Sequence, residues 1–145
     1  MKYGPGNWPE KLQEIIDEFK DVFDPMERYE MLYDWANEIE ELPQDEWDDD
    51  SKVHGCQSEA HAKFHLDESG GFHMRGTADA QIVQGLLAIT AIAIKGLSAE
   101  EVADFSPQFV IEMGLDQALT PSRANGFRNM FTKVQETAKK MSGGN

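Results

Sequence analysis

The spacing of apolar and polar positions changes twice along the chain. From about Trp8 to Phe23, Leu12, Ile15, Ile16, Phe19 and Phe23 recur at helical spacing. One apolar stripe with Pro9 at an early position predicts an amphipathic helix. Asp24, followed by Pro25 and by Glu27 three residues on, reads as the N-cap and capping box of a second helix. That helix directs Leu32, Trp35, Ala36 and Ile39 inward and ends before Pro43. The period then falls to two. Ala60, Ala62, Phe64 and Leu66 alternate with His61, Lys63 and His65, which predicts a strand with one buried face and its histidines on the open one. Asp67 to Gly71 supplies turn residues, and Phe72-His73-Met74-Arg75 alternates again. The pair reads as a β-hairpin, extended by a third strand through Lys52-Val53-His54.

The period lengthens once more. Ala80 to Ile94 is apolar on most sides, and its 15 residues fall short of the roughly 20 that cross a bilayer. A buried central helix is expected, capped by Asp79 and ended by Gly96. Ser98 with Glu101 forms a capping box, and Ser106-Pro107 and Thr120-Pro121 both read as helix starts. The last helix, about Pro121 to Met141, turns Phe127, Phe131, Val134 and Ala138 inward. No internal repeat is present. The fold class is therefore α+β: a small antiparallel sheet of about three strands covered by helices on one face. At 145 residues a single domain is expected, with a core over about 8–141 and flexible ends at 1–7 and 142–145.

Composition narrows the function. With 27 acidic and 13 basic side chains the net charge is −14 and the pI about 4.5. A nucleic-acid partner is excluded, since there is no basic excess to displace counterions from phosphates. No apolar run suits a membrane, and no basic-then-apolar leader opens the chain. The charge is uneven: residues 1–50 hold 17 acids and 4 bases, residues 51–145 hold 10 and 9. The densest acids run from Glu38 to Asp50. They read as a solvated helix end, as a docking surface for a basic partner, or as adaptation to a salty cytoplasm. The single cysteine, Cys56, excludes an internal disulfide and a multi-cysteine metal site, and a cytoplasmic protein is expected.

Cys56 lies in Val53-His54-Gly55-Cys56-Gln57-Ser58, between the acidic run and the hairpin. A lone cysteine is most often a small buried hydrophobe. Here Gly55 frees the backbone for a tight turn, and Gln57-Ser58 is a polar setting. A thiol becomes a nucleophile when cations or amides stabilise its thiolate, and Lys52, His54, Arg75 and Arg123 are the candidate cations. The four histidines lack CxxC or HExxH company, so no metal site is expected. Nothing marks partners for a cysteine hydrolase.

These residues carry a specific resemblance. Gly55-Cys56-Gln57-Ser58 resembles the GCQS signature of SufE-type and CsdE-type sulfur acceptors. Gly76-Thr77-Ala78-Asp79-Ala80-Gln81-Ile82-Val83-Gln84-Gly85-Leu86 resembles the family's GxSDAxIVKGL, and Leu119-Thr120-Pro121-Ser122-Arg123-Ala124-Asn125-Gly126 its LTPSRxxG. The three stand in the family's order at similar spacing, within a resemblance from roughly Leu12 to Ala138. One departure is local: Ala60-His61 stands where the family commonly has Val-Trp.

The resemblance implies a SufE/IscU-like fold and a carrier role in iron–sulfur cluster assembly. Cys56 would accept sulfane sulfur from the persulfide of a SufS/CsdA-type cysteine desulfurase, stimulate that enzyme, and pass the sulfur to a SufBCD-like scaffold complex. Pyridoxal phosphate would reside on the desulfurase, with no cofactor on this chain, which would be a monomer or weak homodimer. Asp79 and Arg123 hold the family's flanking motif positions. Gly55, Gln57 and Ser58 surround the thiol, with Gly55 and Ser58 letting the segment turn toward a partner and supplying hydrogen bonds. Arg123 would support a persulfide anion or pair with Asp79. One thiol suits a one-site carrier, because a neighbouring cysteine would attack the new persulfide and expel sulfide. The same count argues against the alternative, an IscU-like scaffold or metal-binding module, since clusters require several thiolates.

Overall fold

The computed structural model describes residues 2–55 and 59–142; Cys56, Gln57 and Ser58 lie outside them. Helix α3 (Gln81–Ile94) sits at the centre of the core, with Ile82, Leu86, Leu87, Ile89, Ala93 and Ile94 all buried. Helix α1 (Glu10–Lys20) buries its stripe of Leu12, Ile15, Ile16 and Phe19, and it packs with helix α2 (Pro25–Trp35) against α3. Gly85 permits that approach: a Cβ there would collide with the Leu32 carbonyl. Gln84, one residue earlier, donates to the Ala36 carbonyl at 3.0 Å. Its own amide oxygen accepts from the Ala78 N–H at 3.3 Å, so one buried side chain joins three elements.

The hairpin forms from β1 (Ala60–Leu66) and β2 (Phe72–Ala78), in register from Ala60↔Ala78 to Leu66↔Phe72. Ala60, Ala62, Phe72 and Met74 pack into the core beside α3. The expected third strand is reduced to a bridge, Lys52↔His61. The sheet thus has two strands, because the chain leaves the ladder after Val53. The opposite face is partly covered: Glu46, Trp47 and Asp48 contact Arg75, His61 and Lys63 respectively.

Four helices follow α3, the first three of them short: α4 (Ala99–Ala103), α5 (Phe109–Glu112), α6 (Leu115–Ala118) and α7 (Pro121–Met141). Ser98 and Glu101 make the capping box. Thr120 caps α7 by accepting from the Arg123 N–H, and Pro121 opens it. An aromatic cluster closes this end, where Phe109 lies 5.8 Å from both Phe127 and Phe131 and Trp8 lies 5.8 Å from Phe105. Tyr3 also reaches Phe105, at 5.6 Å.

Several expectations are corrected. Phe23, expected to end the α1 stripe, is 85% exposed, because the helix ends at Lys20 and the chain turns toward Asp24. Asp24 caps α2 by accepting from the Met26 N–H, without a Glu27 capping box. Asp79 does not cap α3. Its N–H pairs with the Glu59 carbonyl at 3.0 Å, so strand-like pairing runs past Ala78 and the N-cap falls on Ala80, with no side-chain cap. Ser106 accepts from the Gln108 N–H in a turn that precedes α5. Leu66 is 39% exposed at the open end of the hairpin.

Candidate functional site

Two backbone arms flank the segment that carries the only thiol. Residues 51–53 run antiparallel to residues 60–62: the Val53 N–H donates to the Ala60 carbonyl at 2.9 Å, and the Ala62 N–H to the Ser51 carbonyl at 2.8 Å. Beyond this base the chain continues to Gly55 on one side and Glu59 on the other. Residues 56–58 connect them.

The first arm is held by helix α7. Gly55 has φ +81°, and a Cβ there would run into the Asn129 amide. The Asn129 Nδ2 donates to the Gly55 carbonyl at 3.2 Å, and one turn along the helix Lys133 Nζ donates to the Asp50 carbonyl. Glycine is needed twice over here, for the left-handed backbone and for the close approach.

The second arm is held by a buried imidazole. His61 is 4% exposed and lies flat against Trp47, with ring centroids 4.3 Å apart and planes 13° from parallel. Its Nδ1 is 2.7 Å from Ser51 Oγ, and its Nε2 is 2.5 Å from the Glu59 carboxylate. Trp47 is itself fixed by donating to the Leu42 carbonyl at 3.0 Å. The hydrogen bond from His61 holds the Glu59 carboxyl below its ordinary value, with help from the charge of Lys52 and against partial desolvation. The Ser51 N–H, with Lys63 beyond it, likewise lowers Asp48.

A narrow apolar cleft opens between the arms and the helices. Val53 and Ala60 line it from the arms, Val83 and Leu87 from α3, Phe127 and Met130 from α7, and Arg123 contributes a charged side chain. Of the sequence-derived site residues, Gly55 is bonded to Asn129, the Asp79 N–H pairs with the Glu59 carbonyl, and Arg123 lines the cleft with Val53 and Ala60; Cys56, Gln57 and Ser58 are the rest. Those three lie outside the described residues. Asp79 is exposed, and among the described residues no ion pair joins it to Arg123. Arg75, a candidate cation for the thiolate, is instead bound to Glu46 at 2.9 Å and lies 3.8 Å from Glu40.

The histidines divide. His65 and His73 face each other across the hairpin and stack at 5.0 Å, and His73 Nε2 is 2.7 Å from Asp67. His61, expected on the open face, is buried instead. The strand pattern alone does not register that Trp47 folds over it. Among the described residues no cluster of three histidine, cysteine, aspartate or glutamate side chains is arranged for a metal ion. Glu59, Asn129, Ser51 and Trp47 escaped the sequence reading. Two signals were available: asparagine is a poor interior helix residue, and a tryptophan within an acidic run calls for cover.

Comparison with known proteins gives the chain its family. The SufE sequence profile, described as an Fe-S metabolism associated domain, matches residues 13–138. A SufE-like protein of Synechocystis sp. is 36% identical over 130 residues, 90% of this chain and 81% of that protein. A SufE-like protein of Rhizobium etli is 31% identical over 88% of this chain and 89% of its own length. The SufE-like protein 1 of Arabidopsis thaliana, named as chloroplastic/mitochondrial, is 32% identical over 90% of this chain, which spans 35% of that longer protein. The solution structure of a hypothetical protein from Thermus thermophilus superposes with a TM-score of 0.77 at 21% identity, covering 95% of this chain and 99% of that one. The chain belongs to the SufE family and has its α+β fold. No helix among the described residues is long and apolar enough to cross a membrane.

Proposed function

We propose that this protein is a sulfur carrier in which Cys56 takes sulfane sulfur from a SufS/CsdA-type cysteine desulfurase. The carrying observation is a single thiol, at the GCQS position of a SufE-family chain, on a segment whose two arms are separately anchored. In the transfer, the Cys56 thiolate attacks the outer sulfur of the desulfurase persulfide. A new S–S bond forms on Cys56, the donor's S–S bond breaks, and the donor cysteine leaves as a thiolate. No oxidant is consumed, since one thiolate and one persulfide simply exchange the sulfane atom. Removing the persulfide frees the desulfurase for another turnover, which is how a carrier stimulates it.

From Cys56 the sulfur passes to an iron–sulfur scaffold complex by the same exchange. Pyridoxal phosphate belongs to the desulfurase in this scheme, and a cytoplasm that keeps thiols reduced suits the chemistry. Arg123 lines the cleft with Val53 and Ala60, and its positive charge is assigned to support of the persulfide anion. The test is alanine release by a desulfurase of this type from cysteine, with the wild-type protein or Cys56→Ser in molar excess. Wild type raises the turnover and Cys56→Ser leaves it at the basal rate. Equal stimulation by both proteins would refute the reading.

A further inference from the structure

His61 is buried, polar on both ring nitrogens and placed two residues from the point where the chain leaves the Cys56 segment. The proton inventory of its surroundings defines its job. Glu59 is ionised near neutral pH, and a carboxylate only accepts, so His61 Nε2 carries a proton and donates to it. Ser51 has one hydroxyl proton and two possible acceptors, His61 Nδ1 at 2.7 Å and the Asp48 carbonyl at 3.0 Å. With a neutral imidazole the hydroxyl donates to Nδ1, and the Asp48 carbonyl still accepts from the Lys52 N–H. With an imidazolium, Nδ1 donates to Ser51 Oγ and the hydroxyl turns to Asp48. Both states are fully bonded, and both keep Nε2–H on Glu59. The charged groups facing this network are Glu59, Asp48, Lys52 and Lys63.

The ring is held in a fixed setting. Trp47 covers one face, and the strand base through Ala62 and Ser51 fixes the backbone beneath. Glu59, by contrast, has its carboxylate held by His61 and its carbonyl by the Asp79 N–H. We infer that His61 is a positioning residue: through Glu59 it fixes the C-terminal end of the segment bearing Cys56, as Asn129 fixes the N-terminal end through Gly55. The inference rests on the carrier reading of Cys56 for its functional meaning, because only then does the placement of that segment set the rate of sulfur transfer.

The side-chain amides of glutamine and asparagine separate this role from mere packing. His61→Gln places an amide N–H near the position of Nε2 and keeps the donor to Glu59. His61→Asn places its amide near Nδ1, keeping Ser51 and abandoning Glu59. Both variants lose the ring stacked on Trp47, so a purely structural role lowers their melting temperatures and their reactivity together. Two rates are measured on folded protein: alkylation of Cys56 by iodoacetamide in the free chain, and kcat/KM for sulfur acceptance from a desulfurase persulfide. Misplacement of reacting groups by about an ångström is costly, so His61→Asn is expected to lower kcat/KM by about tenfold and His61→Gln by less than about twofold. The alkylation rate should move by several-fold in His61→Asn and stay near wild type in His61→Gln. Equal kinetics for the two variants overturn the positioning role. If no variant, and not the wild type either, accepts sulfur, the carrier reading fails, while the alkylation rates still decide whether His61 positions Cys56.

Discussion

The two ends of the hairpin's polar face carry the same residue type in opposite circumstances. At one end His61 is buried beneath Trp47 and bonded on both nitrogens; at the other, the exposed His65 stacks on the half-buried His73, which is bonded to Asp67. His61 and His65 are four residues apart on one strand and point the same way. The difference comes from what folds over them. Trp47 stacks directly over His61 at the end nearest the Cys56 segment, whereas at the turn end Glu38, Ile39 and Glu40 only line an open cavity shared with His65 and His73. Histidine on a strand therefore says little about its role until its cover is known.

Removing the cover should have the largest effect. Trp47→Ala deletes the stacked indole and its hydrogen bond to Leu42, and a loss of about 2–4 kcal/mol in unfolding free energy is expected, as for a large side chain that is partly buried. Chemical denaturation reads it directly, and a value under about 1 kcal/mol would mean the two ends are not so different. His61→Ala should cost about 1–3 kcal/mol, since Ser51 and Glu59 lose a partner next to a buried space.

The open end should respond weakly. His73→Ala removes a surface hydrogen bond to Asp67 and should cost about 0–1 kcal/mol. His65→Ala, with only a stacked neighbour, should stay within about 0.5 kcal/mol of wild type. If His65→Ala proves as harmful as His61→Ala, the contrast collapses.

Titration sharpens the same comparison. Both Glu59 and Asp67 are held below their ordinary values of 4.5 and 3.8, each first of all by a histidine hydrogen bond. A carboxyl whose folded pKa is depressed stabilises the fold above its unfolded value, and loses that contribution as pH falls through the folded pKa. Carboxyl carbon chemical shifts should show both groups titrating low in the wild type. Glu59 should move back up in His61→Ala but not in His73→Ala, and Asp67 should do the reverse.

Much of the fold was legible because it rests on local signals. Helix α7 runs over Pro121–Met141 as read, since Thr120-Pro121 starts it and its apolar positions repeat to Ala138. The hairpin and the buried α3 followed from the change in period. Features that depend on chain return were not legible. Asp79 is drawn into pairing with Glu59 instead of capping α3, and the burial of His61 depends on a tryptophan fourteen positions earlier in the chain. At the site, Cys56 and its motif neighbours were readable as a string of residues. Their anchors, Asn129 and His61, act across the fold and were not.

The central claim is that Cys56 carries sulfur, and intact-mass measurement after incubation with a desulfurase, pyridoxal phosphate and cysteine tests it most directly. The account predicts a gain of about 32 Da, one sulfur atom, on the wild-type chain, removed by dithiothreitol and absent from Cys56→Ser. A wild-type chain that stays at its original mass while the desulfurase turns over would contradict it.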